Sequence, residues 1–433
     1  MTVRSGLPFS AQRDALFNEL HTRPFPTLAH PAHLSHLAIE APADAEAERA
    51  HLSRLCTRYA VPAPLPDANC YYQDFGAFTL RWERHTEFST YLVIVQDTGG
   101  EPFAQPALDV LPAEWLREIP GAVFSALHVE IAEADTHPTD KDALRRYFEG
   151  QRLLGSKVVG EGAEVWTAYR IHADGFGRFL VLNRRLNPCQ LGRLVRALLE
   201  LETYRMSMLQ ALPLAKSIAP QMWSMDEELA RIIQQITDIE SLEDEQRLVR
   251  ELSVLAARTE RLISDTNYRF SAASAYHALV QARLDELRET EIPGLMTLRE
   301  FLGRRLVPAW RTCESTRDYL DDLSTRINRA NALLRARVDL SLEQQNQALL
   351  ASMNRRSRLQ LRLQQAVEGL SVVAISYYTV GLIKYAGEAA KAGGLPVSSG
   401  AVAGASVPLV LAGVAWMLHR FRKQVHEDDQ QSA

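Results

Sequence analysis

The sequence predicts an α+β cytoplasmic domain, a long helical stalk and a two-helix transmembrane hairpin, and three observations carry that reading. Strand-like alternation is confined to the stretch before Leu186, only helical periodicity follows Asn187, and two apolar segments stand near the end, at Ala366–Ile383 and Ala401–Leu418. Four parts are expected: a mixed domain over 1–186, a helical stalk over 187–365, the hairpin over 366–418, and a basic then acidic tail over 419–433.

In the first part, Ser10 suits an N-cap for a short helix through His21, which the prolines at Pro24 and Pro26 must end because they fix φ and remove donors. A strand is expected over His33–Ala41 and a helix over Asp44–Tyr59. The aromatic and β-branched run Phe75–Asp97 reads as one long strand or two adjoining ones. Further strands are expected in Ala122–Glu133, Ser156–Ile171 and Gly175–Leu186, with a helix over Asp142–Gly150.

Asn187-Pro188 opens the helical part, and Asp226–Thr290 reads as one or two long charged helices before a turn at Pro293-Gly294. Between Pro308 and Gly369 there is no glycine or proline, while Leu320, Leu323, Ile327, Ala330, Leu334, Val338 and Leu342 recur at steps of three and four. That is one long helix with an apolar seam. The 74 residues Ala309–Leu382 would extend about 110 Å at the helical rise. Such a seam requires a partner, either the preceding helices or copies of itself in a homo-oligomer.

Each apolar segment nears the ~20 residues that cross a hydrocarbon core. Arg355, Arg356, Arg358 and Arg362 precede the first and Arg420, Arg422 and Lys423 follow the second, whereas only Lys384 and Lys391 lie between them. The positive-inside rule then places both termini in the cytoplasm, with a lipid bilayer as partner. A start without an apolar h-region does not resemble a signal peptide, and Cys56, Cys70, Cys189 and Cys313 form no metal or disulfide spacing. A net charge of -5 gives no electrostatic case for nucleic acid.

The densest ionisable constellation is FTLRWERHTEF. Alternation puts Arg81, Glu83, His85 and Glu87 on one face, where they could bind a ligand or a cation, and the same pattern suits a solvated face stitched by Arg–Glu pairs. His21 and Arg23 could reach a phosphate or carboxylate together, or cap a helix C-terminus. His30, His33 and His36 are a weak metal signal. The chain holds no GxSxG, P-loop, HExxH or dinucleotide fingerprint, so an enzyme is not expected and no cofactor is implied. In the first apolar segment Glu368, Ser371 and Thr379 form a mixed stripe with Ile375 and Leu382, and Gly381 follows. These polar positions and the glycine are pore candidates if the helices assemble around an axis.

NELHTRPFP, RWERHTEFSTY, RFSAASAYHALVQARLDELRE and the stretch Leu350–Leu382 resemble a bacterial family of membrane-anchored proteins with a domain of unknown function. That resemblance implies the bacterial inner membrane as location, and no chemistry. The order of parts is also similar to CorA-type two-span cation channels, which implies an oligomer around the first spans and a divalent cation as partner. Tyr378-Thr379-Val380-Gly381-Leu382-Ile383 stands where that family carries Gly-Met-Asn, so the resemblance extends to topology and leaves selectivity open.

Overall fold

The computed structural model describes residues 10, 12–19, 26–40, 44–96, 99–136, 140–239, 241–393 and 398–431. Two compact units are present, Met1–Asn331 and Ala332–Ala433.

The first unit begins with α1 (Arg13–Glu19), β1 (Ala32–Glu40) and α2 (Ala45–Tyr59). The Asp44 side chain accepts from the Glu46 backbone N–H to start α2, and Ala60 closes it in a left-handed conformation. Next come β2 (Cys70–Asp74), β3 (Thr79–Arg84) and β4 (Phe88–Gln96), then α3 (Ala113–Arg117) and β5 (Val123–Glu133). Within the expected segment Phe75–Asp97, β3 and β4 thus form a hairpin, closed where the His85 N–H donates to the Phe88 carbonyl at 2.8 Å. After the short α4 (Lys141–Leu144) follow β6 (Leu154–Val158), β7 (Ala163–Thr167) and β8 (Gly177–Asn183).

The nine strands among the described residues, counting β9 below, join one mixed sheet in the order β2-β3-β4-β1-β5-β8-β7-β6-β9. Its central pair, β5 with β8, is parallel, and the other pairs are antiparallel. Period-two alternation divides the side chains between two faces. Leu37, Ile39, Leu80, Trp82, Tyr91 and Val93 pack with Leu52 and Leu55 of α2 and Trp115 of α3. Leu34, Leu92, Ile94, Val129, Val165 and Val181 belong to the core that the helices cover.

That cover starts with α5 (Pro188–Leu209), whose Asn187–Gln190 capping box and proline in the first turn satisfy the opening donors. It continues with α6 (Ala211–Thr237) and α7 (Leu242–Leu287), leads through the two-residue β9 (Thr290–Glu291), and ends in the opening turns of α8 (Leu298–Ala392). Leu191, Val195, Leu198, Met222, Phe270 and Leu302 join the sheet residues in one apolar core. Pro308 does not begin this last helix, which already runs from Leu298. Burial of Leu302, Leu306 and Trp310 on both sides of it outweighs the one lost backbone donor. The seam residues Leu320, Leu323, Ile327 and Ala330 are buried as well.

The second unit holds the rest of α8 and α9 (Ser399–Gln431). Two helical stretches, one in α8 and Gly400–Met417 in α9, are long and apolar enough to cross a membrane.

Candidate functional site

Because Leu80 and Trp82 of β3 point toward α2, Arg81 and Glu83 must point toward α5. They are 7% and 8% exposed, so the face expected to be solvated is a buried charged layer. The Arg81 Nη2 donates to Glu83 Oε1 at 2.7 Å. His36 of β1 and His85 of the β3–β4 hairpin complete the sheet side of a cavity of about 180 Å³, while Arg196, Glu200, Thr203 and Tyr204 descend from α5. Those four positions recur at steps of four, three and one, which is a single helical face. Arg196 Nε donates to Glu200 Oε1 at 2.7 Å, and Arg283 Nε of α7 lies 2.6 Å from Glu200 Oε2.

Burial, aided by the Arg81 and His85 charges, pushes His36 down to about 3. Its ring is neutral at physiological pH, and its Nδ1 has no hydrogen-bond partner. Burial and the Glu200 charge raise Tyr204 to about 12, so its hydroxyl stays a donor. Two ion pairs, a neutral imidazole and a phenol around a small void can hold a compact polar ligand. They offer no nucleophile with an adjacent base.

Of the residues singled out in the sequence, the structure thus brings Arg81, Glu83 and His85 together. Glu87 lies elsewhere, 3.4 Å from Arg269 Nη1 of α7. His21 and Arg23 lie outside the described residues. His33 pairs with Glu130 on the face opposite to His36, because the two differ by an odd number of positions along β1. Among the described residues no group of three or more His, Cys, Asp or Glu is placed to hold a metal ion. Arg196, Glu200 and Arg283 escape a reading by sequence, since nothing local says which strand an amphipathic helix will cover.

A second concavity, an apolar groove of about 670 Å³, opens beside the parallel β5–β8 pair. Phe124, Leu127, Phe176, Phe179 and Met206 line it, and Arg170 stands among its polar residues. The Ser125 hydroxyl, also in its wall, is buried without a hydrogen-bond partner. Such a groove has the size and apolar character of a small-molecule site.

In the second unit, Ser371 Oγ donates to the Val367 carbonyl at 2.9 Å and Thr379 Oγ1 to the Ile375 carbonyl at 2.8 Å. Glu368, Ser371, Thr379 and Gly381 are half-buried, whereas Ile375 and Leu382 of the same expected stripe are 50% and 69% exposed. Ser376 is buried, and a concavity of about 700 Å³ runs from it along Tyr377, Val380 and Gly381 to Val407 and Leu411 of α9.

A family model described as a protein of unknown function, DUF3422, matches residues 10–425. No curated protein and no solved structure matches the chain.

Proposed function

We propose, for a chain that belongs to this family of proteins of unknown function, a bacterial inner-membrane protein. It is anchored by a two-span hairpin with both termini in the cytoplasm, and its sheet unit binds a ligand or partner there without catalysing a reaction. The observation that carries the anchor is the surface of the second unit, where Leu370, Val373, Tyr377, Tyr378, Leu409 and Trp416 are all exposed. So much apolar area in water is a standing cost at roughly 25 cal/mol per Å², and a bilayer removes it. The Arg420 guanidinium lies 5.4 Å from the centre of the Trp416 ring, the pairing of an aromatic with a cation that suits a membrane interface. The apolar groove beside β5 and β8 supports ligand binding by the sheet unit.

Cation conduction by a homo-oligomer with CorA-like topology is the second reading, favoured by Glu368, Ser371 and Thr379 falling within one side of the first span. Against it, the two hydroxyls are spent on carbonyls of their own helix.

Reporter fusions after Lys391 and after Lys423 are expected to lie on opposite sides of the membrane, the first outside. Both inside would overturn the spanning hairpin. Reconstituted protein is expected to give liposomes no divalent or monovalent cation flux above empty vesicles. A flux that falls in Glu368→Gln would replace the anchor reading with conduction.

A further inference from the structure

Four arginines, Arg152, Arg170, Arg304 and Arg305, converge on a concavity of about 260 Å³ that no carboxylate lines. They come from three separate segments, before β6, after β7 and in the second and third turns of α8. Among the described residues none of the four side chains forms an ion pair or hydrogen bond, and the Arg305 guanidinium lies over the Phe301 ring, 5.8 Å from its centre. Other arginines of the same unit do meet acids, Arg84 with Glu48, Arg178 with Asp174, Arg184 with Glu164 and Arg299 with Asp285. In a chain with an excess of acids, four arginines lining one hollow without an acid among them concentrate positive charge locally.

The segments bearing them are held firmly. The Gly155 N–H donates to the Met296 carbonyl at 3.3 Å, and Tyr169 stacks on Phe301 with ring centres 5.1 Å apart. Gly155 allows this closeness, since a Cβ there would stand 3.0 Å from Trp166 and 3.1 Å from Leu295. The cations are therefore presented on fixed backbone around an apolar floor that includes Leu154, Met296 and Phe301.

We propose that this hollow is a binding site for clustered phosphate: a diphosphate or short phosphate ester, or the phosphate headgroup of an anionic lipid. Guanidinium forks match phosphate oxygens two at a time, and converging positive charge gains most from a ligand bearing several negative charges. The volume falls just below the ~300–1,000 Å³ of drug-sized sites, which favours a compact ligand. This inference concerns the sheet unit alone and stands apart from the topology of the hairpin.

The test is titration of the full-length protein in neutral detergent with sodium pyrophosphate, at constant ionic strength. Parallel samples use mixed micelles of the same detergent with phosphatidic acid or with phosphatidylcholine. Saturable binding of pyrophosphate, weakened at least tenfold in Arg304→Gln/Arg305→Gln and unchanged in the charge-matched control Arg250→Gln/Arg261→Gln, would confirm the site and assign it a soluble ligand. Binding of phosphatidic acid micelles alone, with the same dependence on the variants, would confirm it as a headgroup site. Absence of both, or equal loss in the control pair, would overturn it. All four side chains are exposed, so the variants are expected to melt as the parent does without ligand.

Discussion

Replacing Arg84 by alanine is expected to destabilise the sheet unit by about 3–5 kcal/mol, the usual cost of stripping a buried ion of its partner. The Glu48 side chain is 0% exposed, and its Oε2 accepts from Arg84 Nη1 at 3.0 Å and from Ser89 Oγ at 2.9 Å. Its Oε1 accepts from nothing, so the carboxylate depends on that single guanidinium. The pair also ties α2 to the β3–β4 hairpin, alongside the Ser89 hydrogen bond and the apolar contacts between the two elements. Urea unfolding followed by tryptophan fluorescence would show the loss as a lowered midpoint at an unchanged slope. The double variant Glu48→Met/Arg84→Met is expected to recover most of it, because both charges then leave together. An Arg84→Ala midpoint equal to that of the parent would show that the carboxylate finds its compensation elsewhere.

Acid is expected to destabilise the same unit steeply below pH 6.5. Burial, with Arg81 and His85 nearby, lowers His36 to about 3; burial beside Arg54 lowers His51 to about 4; burial lowers His128 to about 4, with Arg178 and His172 adding and Asp174 opposing. A histidine with a depressed folded pKa contributes stability that is complete above the unfolded value near 6.5. That contribution is lost as pH falls toward the folded value, because only the unfolded chain takes the proton. Each such group costs about 1.4 kcal/mol per pH unit in that window. From pH 6.5 to 5, three of them amount to about 6 kcal/mol, comparable with the whole stability of a domain. Glu130 and Glu289, raised chiefly by burial, act in the opposite sense, so this figure is a ceiling. Urea midpoints measured from pH 7.5 to 5 should fall, and His128→Gln should remove roughly a third of the slope. A midpoint independent of pH over that range would mean that these rings are not neutral and buried as described.

How much of this was legible depended on whether the signal was local. β1 and β5 fall within one residue of the expected strands at their starts, because alternation is a property of the segment itself. β2 was not expected: its five residues, Cys-Tyr-Tyr-Gln-Asp, are too short and polar to stand out. The β3–β4 turn was ambiguous because His85, Thr86 and Glu87 contain none of the glycine, proline or asparagine that usually marks one. Pro308 suggested a helix start because the burial that overrides it comes from residues far away in sequence. The charged layer followed the same rule. That Arg81 and Glu83 share a face could be read from period two, but the helix that buries them could not. The four arginines around the hollow proposed for phosphate left no pattern either, since Arg152 and Arg170 flank the β6–β7 hairpin while Arg304 and Arg305 come from α8, more than 130 positions later.

The shortest strand has a large effect on the order in which the chain can fold. β9 contributes only Thr290 and Glu291, yet these pair with Lys157 and Ser156 and so close the free edge of β6. The partners are more than 130 positions apart, and the whole of α5, α6 and α7 lies between them. Loop closure over such a span is slow to be repaid, so the sheet is finished late, after the helices have docked. Until then β6 presents open donors and acceptors to any strand that arrives, including the same strand of another chain. A fragment ending after β8 would carry that sticky edge permanently. The aggregation hazard of this edge of the sheet is therefore set by a two-residue segment that lies beyond three helices.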